Sequence, residues 1–203
     1  MLDLKKVAVT GGLSAGKTAV CKLFAQFNAY VVNADEIVHR LLTLQTPLGK
    51  QILALLGKHV VKNGELDRAL IAKKVFKDPL LLKKLEKNLY PAVFESIERH
   101  YQEAKQINSP LFIVEIPKLF EAKKEGWFDV VITVAAAEEV RLQRYISKGG
   151  TKDEYQKRMA NQMAVNEKIS RSNYVIENNG DLNELMSSVT KLFHALTRRG
   201  VAP

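Results

Sequence analysis

The stretch VTGGLSAGKTAV, residues 9–20, decides how the rest of the chain is read. Between Gly11 and Thr18 it contains GxxxxGK[ST], a pattern that cradles a phosphate chain when it turns from a strand into a helix. Both flanks fit. KKVAVTG (5–11) is a short apolar, β-branched run ending in glycine, and Val20, Leu23, Phe24 and Phe27 follow at helical spacing. Glycines let the loop backbone approach a ligand closely and take positive φ, so that successive N–H groups point at the phosphates. Lys17 is expected to reach the β and γ phosphates. Thr18 opens the helix and offers a hydroxyl to a Mg²⁺ ion, while the helix N-terminus adds its dipole. The alternative is a glycine-rich turn with an exposed lysine, which leaves the strand and helix on either side unexplained. The loop does not say what receives the phosphate, because switches, motors and kinases share it.

Composition narrows the setting. A chain of 203 residues, 46% hydrophobic, is long enough for one well-buried core with room for a small appended lobe. No apolar run approaches the ~20 residues needed to span a bilayer, and MLDLKK leads directly into a strand, so a cytoplasmic protein with no membrane partner is expected. The single cysteine, Cys21, cannot form an internal disulfide and reads as a small core or helix-face residue. Net charge is +9, from 31 Lys and Arg against 22 Asp and Glu, which implies a polyanionic partner. Nucleic acid is one candidate and a small polyphosphate the other. The chain has no zinc spacing, no RNA-binding aromatic signature and no basic low-complexity tail, so a dedicated nucleic-acid reader is disfavoured. His39, His59, His100 and His194 have no metal-ligand spacing.

Four more strand-like runs follow the first: AYVVNAD (29–35), LFIVEIP (111–117), DVVITVAA (129–136) and NYVIENNG (173–180). Five short apolar strands alternating with helical segments predict an α/β fold, a five-stranded parallel sheet flanked by helices. Residues 36–107 form a long helical insertion, with apolar positions at Ile37, Leu41, Leu42, Leu48, Ile52, Leu55 and Leu56 and breaks near Gly57 and at Asn63-Gly64. A second excursion, 141–172, carries Arg141, Arg144, Lys148, Lys152, Lys157, Arg158, Lys168 and Arg171. The expected division is a single domain: a core of 1–35, 108–140 and 173–203, the insertion at 36–107 and the basic excursion at 141–172, which the family resemblance given below implies is a lid.

Open α/β sheets bind ligands at the carboxyl ends of their strands, and there VVNADEI places Asp35. A carboxylate in that position can accept a proton from an attacking hydroxyl or orient it. It can also simply cap the helix that begins at Glu36, and both readings stay open. The basic excursion carries a similar choice. An arginine swung over a γ phosphate stabilises spreading charge and excludes water, whereas a run of charges on a helix can also be a solvated face.

Together, VTGGLSAGKT, VVNAD, NGELDRALIAKKVF, YPAVFESI, EIPKLFE, RYISKGG, RMANQM and YVIENNG, in this order and spacing, resemble dephospho-coenzyme A kinases along nearly the whole chain. That family transfers the γ phosphate of ATP to the ribose 3′-hydroxyl of dephospho-coenzyme A, the last step of coenzyme A synthesis. The resemblance implies a P-loop kinase fold, with Gly12 and the segment Ser14, Ala15, Gly16, Lys17, Thr18 and Ala19 holding ATP and Thr18 serving Mg²⁺. It implies that Asp35 is the catalytic base, that the helical insertion holds the coenzyme through Arg68 and the region of Tyr90, and that Arg144 is the lid arginine. Arg158 and Gln162 match the family's RxxxQ pattern. ATP and dephospho-coenzyme A are then the small-molecule partners, with a monomer as the default state.

The chain departs from the family pattern at several positions. The usual DAD is Asn33-Ala34-Asp35, the usual His-Pro is Tyr90-Pro91, and the usual DxPLLFE reads Glu115-Ile116-Pro117-Lys118-Leu119-Phe120-Glu121. Ala15 replaces a frequent serine, and Lys148 replaces an arginine, which keeps the charge and loses the bidentate fork. Two rival functions are weighed against this reading. One is another nucleoside or nucleotide kinase on the same scaffold. The other is a non-catalytic, nucleotide-dependent, nucleic-acid-associated protein, and a switch of the GTPase kind lacks support because no NKxD-like segment is present.

Overall fold

The computed structural model describes residues 4–198. Its main sheet is parallel and contains β1 (Lys6–Gly11), β2 (Tyr30–Asn33), β5 (Phe112–Glu115), β6 (Val130–Ala135) and β7 (Tyr174–Glu177), in the order β2-β5-β1-β6-β7. All five strands expected from the sequence are present. β1 lies between β5 and β6, with Val7 opposite Ile113 and Val130, and Val9 opposite Glu115 and Ile132. Chain direction reverses its progress across the sheet on either side of β1, so its carboxyl end is the switch point at which such sheets bind ligands.

Burial follows from that position. A parallel sheet covered on both faces needs apolar residues at successive positions rather than alternating ones. Val7, Ala8, Val9 and Thr10 are all fully buried, as are Phe112, Ile113 and Val114. Successive side chains still point to opposite faces. Val7 and Val9 join Val20 and Phe24 of α1 (Lys17–Gln26) and Val189 and Leu192 of α9 (Leu182–Thr197). Ala8 faces the other way, with Leu119, Phe120 and Val131. The two edge strands are less buried, and Tyr174 and Val175 of β7 are exposed.

The chain divides into two compact units: Asn33–His100, and the segments on either side of it. Asn33–His100 holds α2 (Ala34–Leu41), α3 (Pro47–Leu56), α4 (Arg68–Val75) and the first part of α5 (Pro79–Gln106). Thr46 caps α3 by accepting from the Gly49 N–H at 2.9 Å, and Pro47 follows at the position where a missing N–H costs least. Leu48, Ile52, Leu56, Val60, Ile71, Val75 and Leu85 form this unit's own core. The insertion is not wholly helical. Val61–Lys62 and Glu65–Leu66 pair antiparallel as β3 and β4, with Asn63 and Gly64 both at positive φ, as a two-residue hairpin turn requires. Asn-Gly carries that signal in the sequence, but two-residue strands are too short to show an alternation.

In the larger unit the basic excursion forms α6 (Glu138–Ile146), α7 (Lys152–Met159) and α8 (Val165–Ser170). Thr151 and Glu154 make a reciprocal capping box at the start of α7. Lys168 on α8 is completely buried, donating to the Pro117 carbonyl at 2.8 Å and pairing with Glu121 at 2.9 Å. Burying an ammonium is costly unless it is paired and hydrogen-bonded, and both conditions are met. The same Glu121 oxygen accepts from the Met163 N–H at 2.9 Å. Among the described residues, no helix is long and apolar enough to cross a membrane.

Two titration properties follow from this packing. Burial pushes the Cys21 thiol well above its ordinary range, with the Glu115 carboxylate adding to the rise and Lys17 opposing it. The native protein is therefore expected to leave a disulfide thiol reagent unconsumed at mildly alkaline pH. In guanidinium it should consume one equivalent, matching its single cysteine. For Glu121, burial raises the pKa, but the Lys168 hydrogen bond and the Met163 N–H outweigh it and hold the carboxyl below its ordinary value. A carboxyl lowered by folding contributes stability that is present above its unfolded pKa of about 4.3 and is lost as pH falls through the folded value. Denaturant titrations at descending pH should show that loss, with a shallower acid limb in Glu121→Gln.

Candidate active site

The phosphate loop begins where β1 ends. Gly11 has φ of 144°, and a methyl group on it would overlap the Val134 carbonyl of the neighbouring β6. Gly12 is crowded by the side chains of Val165 and Arg141. Arg141 is itself buried, donating through Nε to the Ala136 carbonyl at 3.0 Å and through Nη1 to the Met159 sulfur at 3.3 Å. Ser14, at φ of 57°, and Gly16, at φ of 100°, complete the turn into α1. The first turn of α1 has no side-chain cap and no acidic residue, which leaves its N–H groups and dipole to a ligand.

Ala15 is fully buried at the back of the loop. Lys17 curls over the loop, its Nζ 2.9 Å from the Gly12 carbonyl and 3.3 Å from that of Gly11. The Thr18 hydroxyl donates to Glu115 Oε1 at 2.9 Å. Glu115 ends β5 and is buried. It had no assigned role in the sequence, where it stood only as a lengthened acid in the EIP segment, and its nearness to Thr18 depends on the β1–β5 pairing.

Asn178 is the second residue that sequence reasoning passed over. It follows β7, and its Nδ2 donates to the Ala15 carbonyl at 2.8 Å across the back of the loop. Its own carbonyl accepts from Arg144 Nη1 at 2.8 Å, and Asn179 Oδ1 accepts from the Ala137 N–H at the start of α6 at 2.7 Å. Thus Lys17, Thr18 and Arg144, together with Glu115 and Asn178, are held in one unit. A cavity of about 430 Å³ lies beside the loop, lined among others by Leu13, Ser14, Lys148, Glu154 and Arg158.

Asp35, Arg68 and Tyr90 lie in the other unit. The N-cap reading of Asp35 is corrected here. Asn33 is the cap, its Oδ1 accepting from the N–H groups of Asp35 at 2.8 Å and Glu36 at 3.3 Å, so that α2 starts at Ala34. Asn and Asp cap about equally well, so the Asn33 departure preserves the helix start while removing a charge. Asp35 sits in the first turn with an exposed side chain. Arg68 is exposed at the start of α4, directly after its cap Asp67. Tyr90 is half-buried on α5 and donates to Glu86 at 3.2 Å.

Gly16 permits a direct test of the loop. A methyl there meets the Asn178 amide and must also tolerate positive φ. Gly16→Ala is expected to lower unfolding free energy by about 1–3 kcal/mol. It should also abolish any thermal shift that ATP is found to give the wild-type protein.

The chain is similar to known proteins over nearly its full length. The family model described as dephospho-CoA kinase matches residues 5–184. A dephospho-CoA kinase from Protochlamydia amoebophila is 43% identical over 199 residues, covering 97% of this chain and 98% of the relative. The crystal structure of a Thermus thermophilus protein aligns with a TM-score of 0.84 at 31% identity, covering 96% of this chain and 98% of the other. A dephospho-CoA kinase from Campylobacter jejuni has the same fold, with a TM-score of 0.70 at 21% identity over 95% and 97% of the two chains. This chain belongs to the dephospho-CoA kinase family.

Proposed function

We propose that the protein transfers the γ-phosphoryl group of ATP to the ribose 3′-hydroxyl of dephospho-coenzyme A, giving coenzyme A and ADP. The observation that carries this is the family match over residues 5–184 in a chain whose phosphate loop has its N–H groups and lysine gathered at the sheet's switch point. ATP as donor accords with the cytoplasmic setting expected from the sequence. The transferred group passes through a transition state in which positioning and electrostatics do most of the work. In this reading, the loop from Gly12 to Ala19 holds the phosphates through its backbone, and Lys17 neutralises charge on the β and γ oxygens. Asp35 takes the proton of the attacking 3′-hydroxyl, the new O–P bond forms in line, and the bond to the β-phosphate oxygen breaks, leaving ADP.

The insertion containing Arg68 and Tyr90 serves as the coenzyme lobe, with Arg68 for phosphate and Tyr90 for a hydrogen bond. The region 141–172 serves as the lid, and Arg144 balances charge spreading over the γ-phosphoryl oxygens and excludes water. The Thr18 hydroxyl and the Glu115 carboxylate, 2.9 Å apart, are hard oxygen donors of the kind a Mg²⁺ ion takes, directly or through water. A bound ion would supply positive charge against the phosphates during transfer.

The decisive assay mixes purified protein with Mg²⁺-ATP and dephospho-coenzyme A and follows coenzyme A formation. Turnover is expected with dephospho-coenzyme A in preference to nucleosides and nucleotides offered as acceptors. Asp35→Asn should lower kcat by about 10²–10⁴-fold, the range for losing a general base, with ATP affinity unchanged. Absence of wild-type turnover would overturn the function, and an Asp35→Asn protein of normal kcat would overturn the base.

A further inference from the structure

We infer that Asn178 is a positioning residue of the phosphate loop: by holding the Ala15 carbonyl from behind, it aims the Gly16 N–H at the nucleotide phosphates. The inference rests on the reading of residues 11–18 as the ATP loop. The Ala15–Gly16 peptide is planar and trans, so its carbonyl and its N–H point in opposite directions. Asn178 Nδ2 draws the Ala15 oxygen away from the ligand side at 2.8 Å, in a contact buried on both sides. The Gly16 N–H is thereby turned toward the concave face of the loop. No backbone carbonyl among the described residues accepts from it.

Asn178 suits this role because it cannot itself shift easily. Its N–H donates to the Ala135 carbonyl at 2.8 Å, continuing the pairing of β7 with β6. Its carbonyl takes Arg144 Nη1, and the next residue, Asn179, fastens the start of α6. The side-chain amide also occupies the space that a Cβ on Gly16 would need. Close packing and a buried hydrogen bond therefore act on the same peptide. Leaving the Ala15 carbonyl without its donor would expose it to the desolvation penalty of an unpaired buried group, and the cheapest relief is rotation of that peptide. Rotation carries the Gly16 N–H off the phosphates.

The test measures ATP affinity by calorimetry and both Michaelis constants for wild type, Asn178→Leu and Asn178→Asp. Leucine keeps the heavy-atom count and the Cγ branch of asparagine and removes the donor. Asn178→Leu is expected to weaken ATP about tenfold or more, as for a lost buried hydrogen-bond partner, while KM for dephospho-coenzyme A stays within about twofold. In Asn178→Asp the ionised carboxylate repels the Ala15 oxygen, and its protonated form can donate to it. ATP affinity of that variant relative to wild type should therefore recover as pH falls. A purely structural role predicts instead that both Michaelis constants rise together in step with the melting temperature, with no recovery at low pH. Either that pattern or unchanged ATP affinity in Asn178→Leu overturns the assignment. Wild-type protein that binds no ATP overturns the loop reading first, and the assignment with it.

Discussion

Strand β1 has to pair on both sides, fill both faces of the sheet and then release the chain into a loop, and the rest of the larger unit depends on how those demands are met. Val7 and Val9 supply one face and Ala8 the other, so after Lys6 the strand carries no polar position until Thr10, which is itself buried and bonded to the Pro117 carbonyl. Pairing with β6 runs to Gly11 itself, opposite Val134. The place where the chain leaves the sheet is therefore fixed by backbone hydrogen bonding and by the absence of a Cβ. Lys17 and Thr18 inherit their positions from that exit.

Neighbouring strands deliver the partners. β5 ends one residue after Val114 with Glu115, and the longer side chain of Glu still reaches the Thr18 hydroxyl. β7 ends next to Asn178, which reaches back to Ala15. These contacts join residues nearly a hundred and more than a hundred and sixty positions apart. Parallel pairing makes this possible, because it brings the carboxyl ends of all the strands to one edge. Lys168 performs a comparable service from the excursion, tying α8 to the Pro117 carbonyl and to Glu121 just beyond β5.

Much of this was legible in the sequence, though unevenly. The three inner strands were visible because strands buried on both faces read as continuous apolar runs, and the less buried edge strands β2 and β7 because their β-branched and aromatic residues are bounded by turn residues. The phosphate loop was visible because its chemistry depends on local spacing. Asn33 shows where local reading falls short: a helix cap was one of two readings left open for Asp35, but the cap lies two residues earlier, and only the backbone geometry at Asn33 distinguishes them. The hairpin at Asn63-Gly64 was hidden because its strands are two residues long. Glu115 and Asn178 were invisible as site residues for a different reason, since nothing in their immediate neighbours reports a partner so far along the chain.

By itself, then, the sequence determined what short-range physics governs: the strand runs, the helical spacings, the glycine positions that permit the loop, and a family pattern spread along the chain. Tertiary structure alone decided which acid stands beside Thr18, which amide braces Ala15 and which of the clustered cations are spent inside the protein. Those choices depend on strand order and register. Hydrogen bonds act only over a few ångströms, a buried charge needs its partner within that reach, and those distances are set by how the sheet assembles.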